Sequence, residues 1–83
     1  MDILNLKNKA KHIQASVRIG KYGITKAIID EIKRQLKDRK LVKTKFLKNA
    51  GIVDIDKATE ELANKTNSLL VYRIGTVMVL YKK

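Results

Sequence analysis

The stretch QASVRIGKYGIT, residues 14–25, decides how the rest of the chain is read. Gln14, Ser16 and Arg18 alternate with Ala15, Val17 and Ile19, the period of a short strand over Gln14–Ile19 with one buried face. Gly20 and Gly23 then bracket Lys21 and Tyr22, using two of the four glycines in the chain. From Thr25 the period changes: Ile28, Ile32 and Leu36, with Ile29 beside them, form one helical stripe over Thr25–Arg39. Thr25 suits the N-cap, and Ile24 can pack on Ile29 as a hydrophobic staple. The order is therefore strand, glycine loop, helix, the opening of an α/β arrangement.

Working outward, Ile3, Leu6, Ala10 and Ile13 share one face of a leading helix over Asp2–Lys11, with Asp2 as N-cap. On the other side, LVKTKFL (residues 41–47) alternates again, with Val42, Thr44 and Phe46 facing one way and Lys43 and Lys45 the other. KNAGIV reads as a loop. Asp54–Thr66 reads as a second long helix, capped by Asp54 or Asp56, with Ile55, Ala58 and Leu62 inward and Asn67 at a left-handed C′ position. LLVYRI and VMVLYK form a hairpin about Gly75-Thr76. Glycine first in a two-residue loop suits a type II′ turn and sets Ile74 opposite Val77 and Tyr72 opposite Val79. Leu69, Val71, Met78 and Leu80 are expected in the core, leaving Tyr72 and Tyr81 on an open face. The expectation is one domain over residues 1–83, in the order αβαβαββ. On the outer face of the long helix, Asp30 and Arg34 are spaced for an ion pair.

The 83 residues carry 19 Lys/Arg against 8 Asp/Glu, a formal net charge of +11. Residues 1–48 hold 14 basic and 4 acidic side chains, and the remainder is close to balanced. A compact chain that repels itself this strongly points to a polyanionic partner, nucleic acid first and an anionic membrane surface second. A membrane-surface helix needs bulky apolar anchors, and Lys7, Lys9 and Lys11 have no Trp or Phe behind them. The N-terminus has no apolar h-region, and no run approaches a membrane span. Without cysteine there is no disulfide or thiolate site, which fits a reducing cytoplasm.

A glycine loop leading into a helix suits an anion. Glycine permits positive φ and close approach of a second backbone, while the helix start presents unpaired N–H groups. Lys21 adds a charge and Tyr22 a face for a base or ribose. The same four residues also fit a tight turn with an exposed tip. A Walker loop would need four residues between its glycines followed by Lys and Ser/Thr, and a dinucleotide fingerprint needs a third glycine. Neither is present. His12, the single histidine, has no metal partner at ligand spacing. Asp30-Glu31, Asp54/Asp56 and Glu60-Glu61 are explained by capping and solvation. A non-enzymatic binding protein is expected, with no cofactor and no metal.

LKNKAKHIQASVRIGKYGIT resembles the opening of a CRM domain, the module of chloroplast RNA splicing and ribosome maturation proteins, and most of all its single-domain YhbY-like members. LVKTKF resembles that family's lysine-alternating second strand and RIGTVMVLYK its final hairpin, so the likeness spans nearly the whole chain. Ala15, where many members have proline, and Lys82, where arginine is common, are mild departures. The resemblance implies an α/β (α+β) sandwich with a four-stranded mixed sheet, similar to the C-terminal domain of translation initiation factor three. It implies binding of ribosomal RNA in large-subunit precursors, with Gly20, Lys21, Tyr22 and Gly23 as the contacting loop. Thr25 and the helix start would hold a phosphate there. Arg18, Lys26, Lys7, Lys9 and Lys11 would widen the positive field, and Lys43 and Lys45 would extend it along a strand face. A monomer in the cytoplasm is expected. A KH-like module is the nearest alternative, but its glycine loop joins two helices, whereas residues 14–19 alternate like a strand. A general nucleic-acid-binding protein comes next, and then a membrane-surface or protein-interaction module.

Overall fold

Thr25 begins the longest helix by the predicted device: its Oγ1 accepts a hydrogen bond from the Ile28 amide at 3.2 Å. The computed structural model describes residues 3–82, without the side chains of Ile3 and Leu6. The expected Asp2 cap and the inward placing of Ile3 and Leu6 lie outside the described residues. In chain order the elements are α1 (Ile3–Lys11), β1 (Val17–Ile19), α2 (Lys26–Arg39), β2 (Leu41–Phe46), a 3-10 turn (Lys48–Ala50), α3 (Ile55–Lys65), β3 (Leu69–Ile74) and β4 (Val77–Tyr81). This is an α+β fold. Its four-stranded mixed sheet runs β1-β2-β4-β3, with β1 parallel to β2 and the other pairs antiparallel. The parallel pair needs a crossover, and α2 supplies it.

The alternation of residues 41–46 puts Val42, Thr44 and Phe46 on one buried face. Val17 and Ile19 lie beside Thr44 and Phe46, while Leu80 and Met78 lie opposite Val42 and Thr44. Ile32 and Leu36 of α2 and Ala58, Leu62 and Ala63 of α3 close over this face, with Ile24, Ile28 and Ile29 packed at its edge. Asp54 caps α3 by accepting from the Lys57 amide at 3.0 Å. Asn67 is left-handed as expected, with φ 51°. The Ser68 amide reaches the Ala63 carbonyl at 2.9 Å and the Asn67 amide reaches that of Asn64 at 3.2 Å, a Schellman ending.

Four expectations need correction. β1 is three residues long, because of residues 14–16 only Ser16 bonds to β2, its amide donating to the Lys43 carbonyl at 2.9 Å. Arg34 pairs with Glu31 and Asp38, not Asp30. Hydrogen bonds from Arg34 and Gln35 hold the Glu31 carboxyl down at about 2. The hairpin has the predicted pairs Ile74–Val77 and Tyr72–Val79, but an irregularity between Leu70 and Tyr72 leaves Val71 unpaired and sets Leu70, not Val71, opposite Leu80. An inserted residue reverses the faces beyond it. Neither Leu69 nor Val71 joins the buried core expected of them, and Leu69 and Leu70 are both more than a third exposed.

The fourth correction concerns the face expected to be open. Val79 lies on it and is fully buried, and Tyr72 and Tyr81 are half-buried. The cover is α1, whose end is fixed by Lys43: the Nζ donates to the carbonyl oxygens of Ile13 at 3.2 Å and Ala10 at 3.4 Å. A cation on the unpaired carbonyls of a helix C-terminus is a favourable cap. The sheet is thus covered on both faces, by α2 and α3 on one and by α1 over part of the other.

Candidate nucleic-acid interface

The strands β1 and β2 and the β3–β4 turn end together at one edge of the sheet. There the Leu47 amide bonds to the Ile19 carbonyl and the Phe46 amide to that of Thr76, both at 2.8 Å. The Gly20–Gly23 segment leaves from this edge. It is a β-turn closed by the Gly23 amide on the Gly20 carbonyl at 2.9 Å. The two glycines differ. Gly23 has φ +68°, the left-handed region that favours glycine. Gly20 has no positive φ, and a Cβ there would sit 3.5 Å from Asn49 Oδ1 and 3.7 Å from Leu47 Cδ1, in ordinary contact. The positive φ expected of the loop glycines is found at Gly23 alone.

At the tip, Tyr22 is 81% exposed and the Lys21 Nζ lies 5.3 Å from its ring centroid, within cation–π range. The turn runs straight into the α2 N-terminus. The first helical bond joins the Ile29 amide to the Thr25 carbonyl, and Ile28 is taken by the cap. The amides of Lys26 and Ala27 precede both and point out of the helix end. An open groove here is lined by Arg18, Gly20–Gly23, Thr25, Ala27 and Ile28. It combines a cationic rim, helix-end N–H groups and an exposed aromatic ring, the set that receives a phosphate and its neighbouring base.

Of the residues singled out in the sequence, the fold brings Arg18, Gly20, Lys21, Tyr22, Gly23 and Thr25 into this groove, with exposed Lys26 in the first turn of α2. Lys45 is the parallel partner of Arg18, and both are exposed, on the face opposite the core. Lys43 lies on that same face, but its amine is spent on α1. Lys7, Lys9 and Lys11 are exposed along α1, and Lys9 borders a separate hollow beside Lys40 and Tyr81. Reading residues 48–50 as featureless loop missed the 3-10 turn, which sets Asn49 against Gly20 and carries exposed Lys48. Its only cue is tertiary, the bond from Leu47 to Ile19.

The model of the CRS1/YhbY (CRM) domain matches residues 2–82. The chain belongs to the CRM family. Among CRM relatives it is 35% identical over 78 residues to "Probable RNA-binding protein YqeI" of Bacillus subtilis, covering 94% of this chain and 80% of that one. It is 37% identical over 78 residues to "Probable RNA-binding protein MJ0652" of Methanocaldococcus jannaschii, with 93% of this chain but 58% of that one aligned. The fold matches the solution structure of hypothetical protein SAV1595 from Staphylococcus aureus with a TM-score of 0.80 and 33% identity, over 98% of this chain and 83% of that one. The CRM membership agrees with the resemblance read from the glycine loop, the lysine-alternating strand and the final hairpin.

Proposed function

We propose that this protein binds RNA without catalysing a reaction, and that its target is ribosomal RNA in a precursor of the large ribosomal subunit. The carrying observation is the groove itself: Arg18, Lys21 and exposed Tyr22 meet the capped start of α2. The relatives named as RNA-binding proteins support RNA over DNA. In this reading the Gly20–Gly23 turn lets a backbone approach, and Lys21 and the first amides of α2 hold a phosphate. Tyr22 lies against a base or ribose, while Arg18, Lys26 and Lys45 extend the contact. The protein works as a cytoplasmic monomer, its role being to hold RNA in position.

The test is the double variant Lys21→Asp/Tyr22→Asp. Both side chains are exposed at the tip, and acidic groups suit a helix N-terminus, so thermal stability should stay at the wild-type level. Loss of one charge-assisted phosphate contact costs about 1.5–3 kcal/mol, roughly 10- to 150-fold in affinity. Two carboxylates facing the phosphate raise the loss further. Gel-shift titration with ribosomal RNA fragments reads it out. Unchanged affinity with unchanged stability would leave the turn without a role, and equal binding of single-stranded DNA would remove the preference for RNA.

A further inference from the structure

At the far end of α2 from the glycine turn, a hollow of about 370 Å³ opens between the end of α1, the α2–β2 junction and the last strand. Its wall includes Tyr81 and Leu41, which are cross-strand partners, together with Ile13. Its rim carries Lys9, His12, Arg39 and Lys40. Among the described residues no carboxylate pairs with any of these four.

Helix dipoles account for basic side chains in a last turn. They do not account for Lys40, which sits outside the helix with φ 68°. That left-handed C′ position is one that glycine fills with least strain. Lys40 is pinned there by its own amide on the Leu36 carbonyl at 2.9 Å and by the Lys82 amide on its carbonyl at 2.8 Å. A strained lysine facing an apolar hollow is an outlier of the kind that accompanies binding. Two helix C-termini would ordinarily repel an anion here. That repulsion is reduced, because Lys43 Nζ caps the carbonyl of Ala10 and, just past α1, that of Ile13, and the Lys40 amide holds that of Leu36.

We infer that this hollow is a second nucleotide site, taking one nucleotide of the same RNA strand that reaches the Gly20–Gly23 turn, with the base against Tyr81 and Leu41 and the phosphate on Arg39 and Lys40. The inference rests on the RNA-binding reading above. An apolar wall next to unpaired cations matches a flat base joined to a phosphate, and the volume lies within the range of small-ligand sites. The two sites are separated by the length of α2, whose 14 residues span about 21 Å. About six stacked nucleotides at ~3.4 Å each cover that distance.

The experiment compares oligouridylates of four and ten nucleotides on the wild type and on Arg39→Gln/Lys40→Gly. Glycine suits the left-handed position, so the variant should melt at or above the wild-type temperature. The wild type should bind the ten-mer more tightly than the four-mer by roughly 5- to 150-fold, the worth of one stacked base. The variant should lose most of that gain and keep its four-mer affinity. Amide NMR shifts at Leu41 and Tyr81 should appear with the ten-mer and with uridine monophosphate. A variant that binds the ten-mer like the wild type would overturn the second site while leaving the RNA reading intact. No ten-mer binding by the wild type would overturn the RNA reading itself. Shifts with the monophosphate but not the ten-mer would assign the hollow to a free nucleotide, and so overturn the strand-bound form.

Discussion

Thr44 shows how one atom can stand against its surroundings. It is fully buried on the core face between Val17 and Met78, and its hydroxyl is, among the described residues, the buried side-chain polar atom without a hydrogen-bond partner. Burying an unpaired hydroxyl costs about 1–3 kcal/mol. Thr44→Val keeps the shape and the strand preference, so it should stabilise the protein by about 1 kcal/mol. For a domain of this size that is a rise in Tm of about 4–8 °C, measurable by thermal melting. A lower Tm would mean that the hydroxyl has a partner. The glycines of the turn offer a second contrast at this scale. Gly23→Ala places a side chain at φ +68° and should cost about 1–2 kcal/mol of stability. Gly20→Ala should leave stability within about 0.5 kcal/mol, because the added Cβ makes only ordinary contacts. A loss of RNA affinity in Gly20→Ala at unchanged Tm would therefore report the approach of an RNA backbone. Equal melting of the two alanine variants would refute the distinction.

At the scale of elements, α1 and β2 are joined through Lys43. The strand alternation places Lys43 and Lys45 on the same face, yet one amine caps a helix and the other reaches solvent. Lys43→Met keeps the aliphatic stem and removes the donor. It should cost about 1–2 kcal/mol, the worth of a charged hydrogen bond at a helix end. The loss should be local, with faster amide exchange in α1 and unchanged protection in β2 and β4. RNA affinity should fall less than in Lys45→Met, whose amine is exposed beside Arg18. A larger loss in Lys43→Met, with α1 protection intact, would reverse these assignments.

For the whole molecule the governing quantity is charge. With +11 overall and most of the excess in residues 1–48, binding should be dominated by phosphate neutralisation. If about four to six phosphates are contacted, log K for single-stranded RNA should fall against log[salt] with a slope of about −3 to −4. A salt titration giving a slope near zero would refute an electrostatic mechanism. The sequence by itself determined what depends on neighbours a few residues apart: the caps at Thr25 and Asp54, the left-handed Asn67, the helical stripe of α2 and the hairpin register at Gly75-Thr76. It also placed the turn and Arg18 together, since they are adjacent in the chain. Only the tertiary structure decided which face α1 covers, because alternation separates two faces without saying what lies on either. The reversal at Val71 had no local signal, since LLVYRI is apolar on both faces and one unpaired residue brings Leu70 into line with Leu80. The hollow beside Lys40 joins residues 9 to 81, and only the docking of α1 onto the sheet brings them within reach of one ligand.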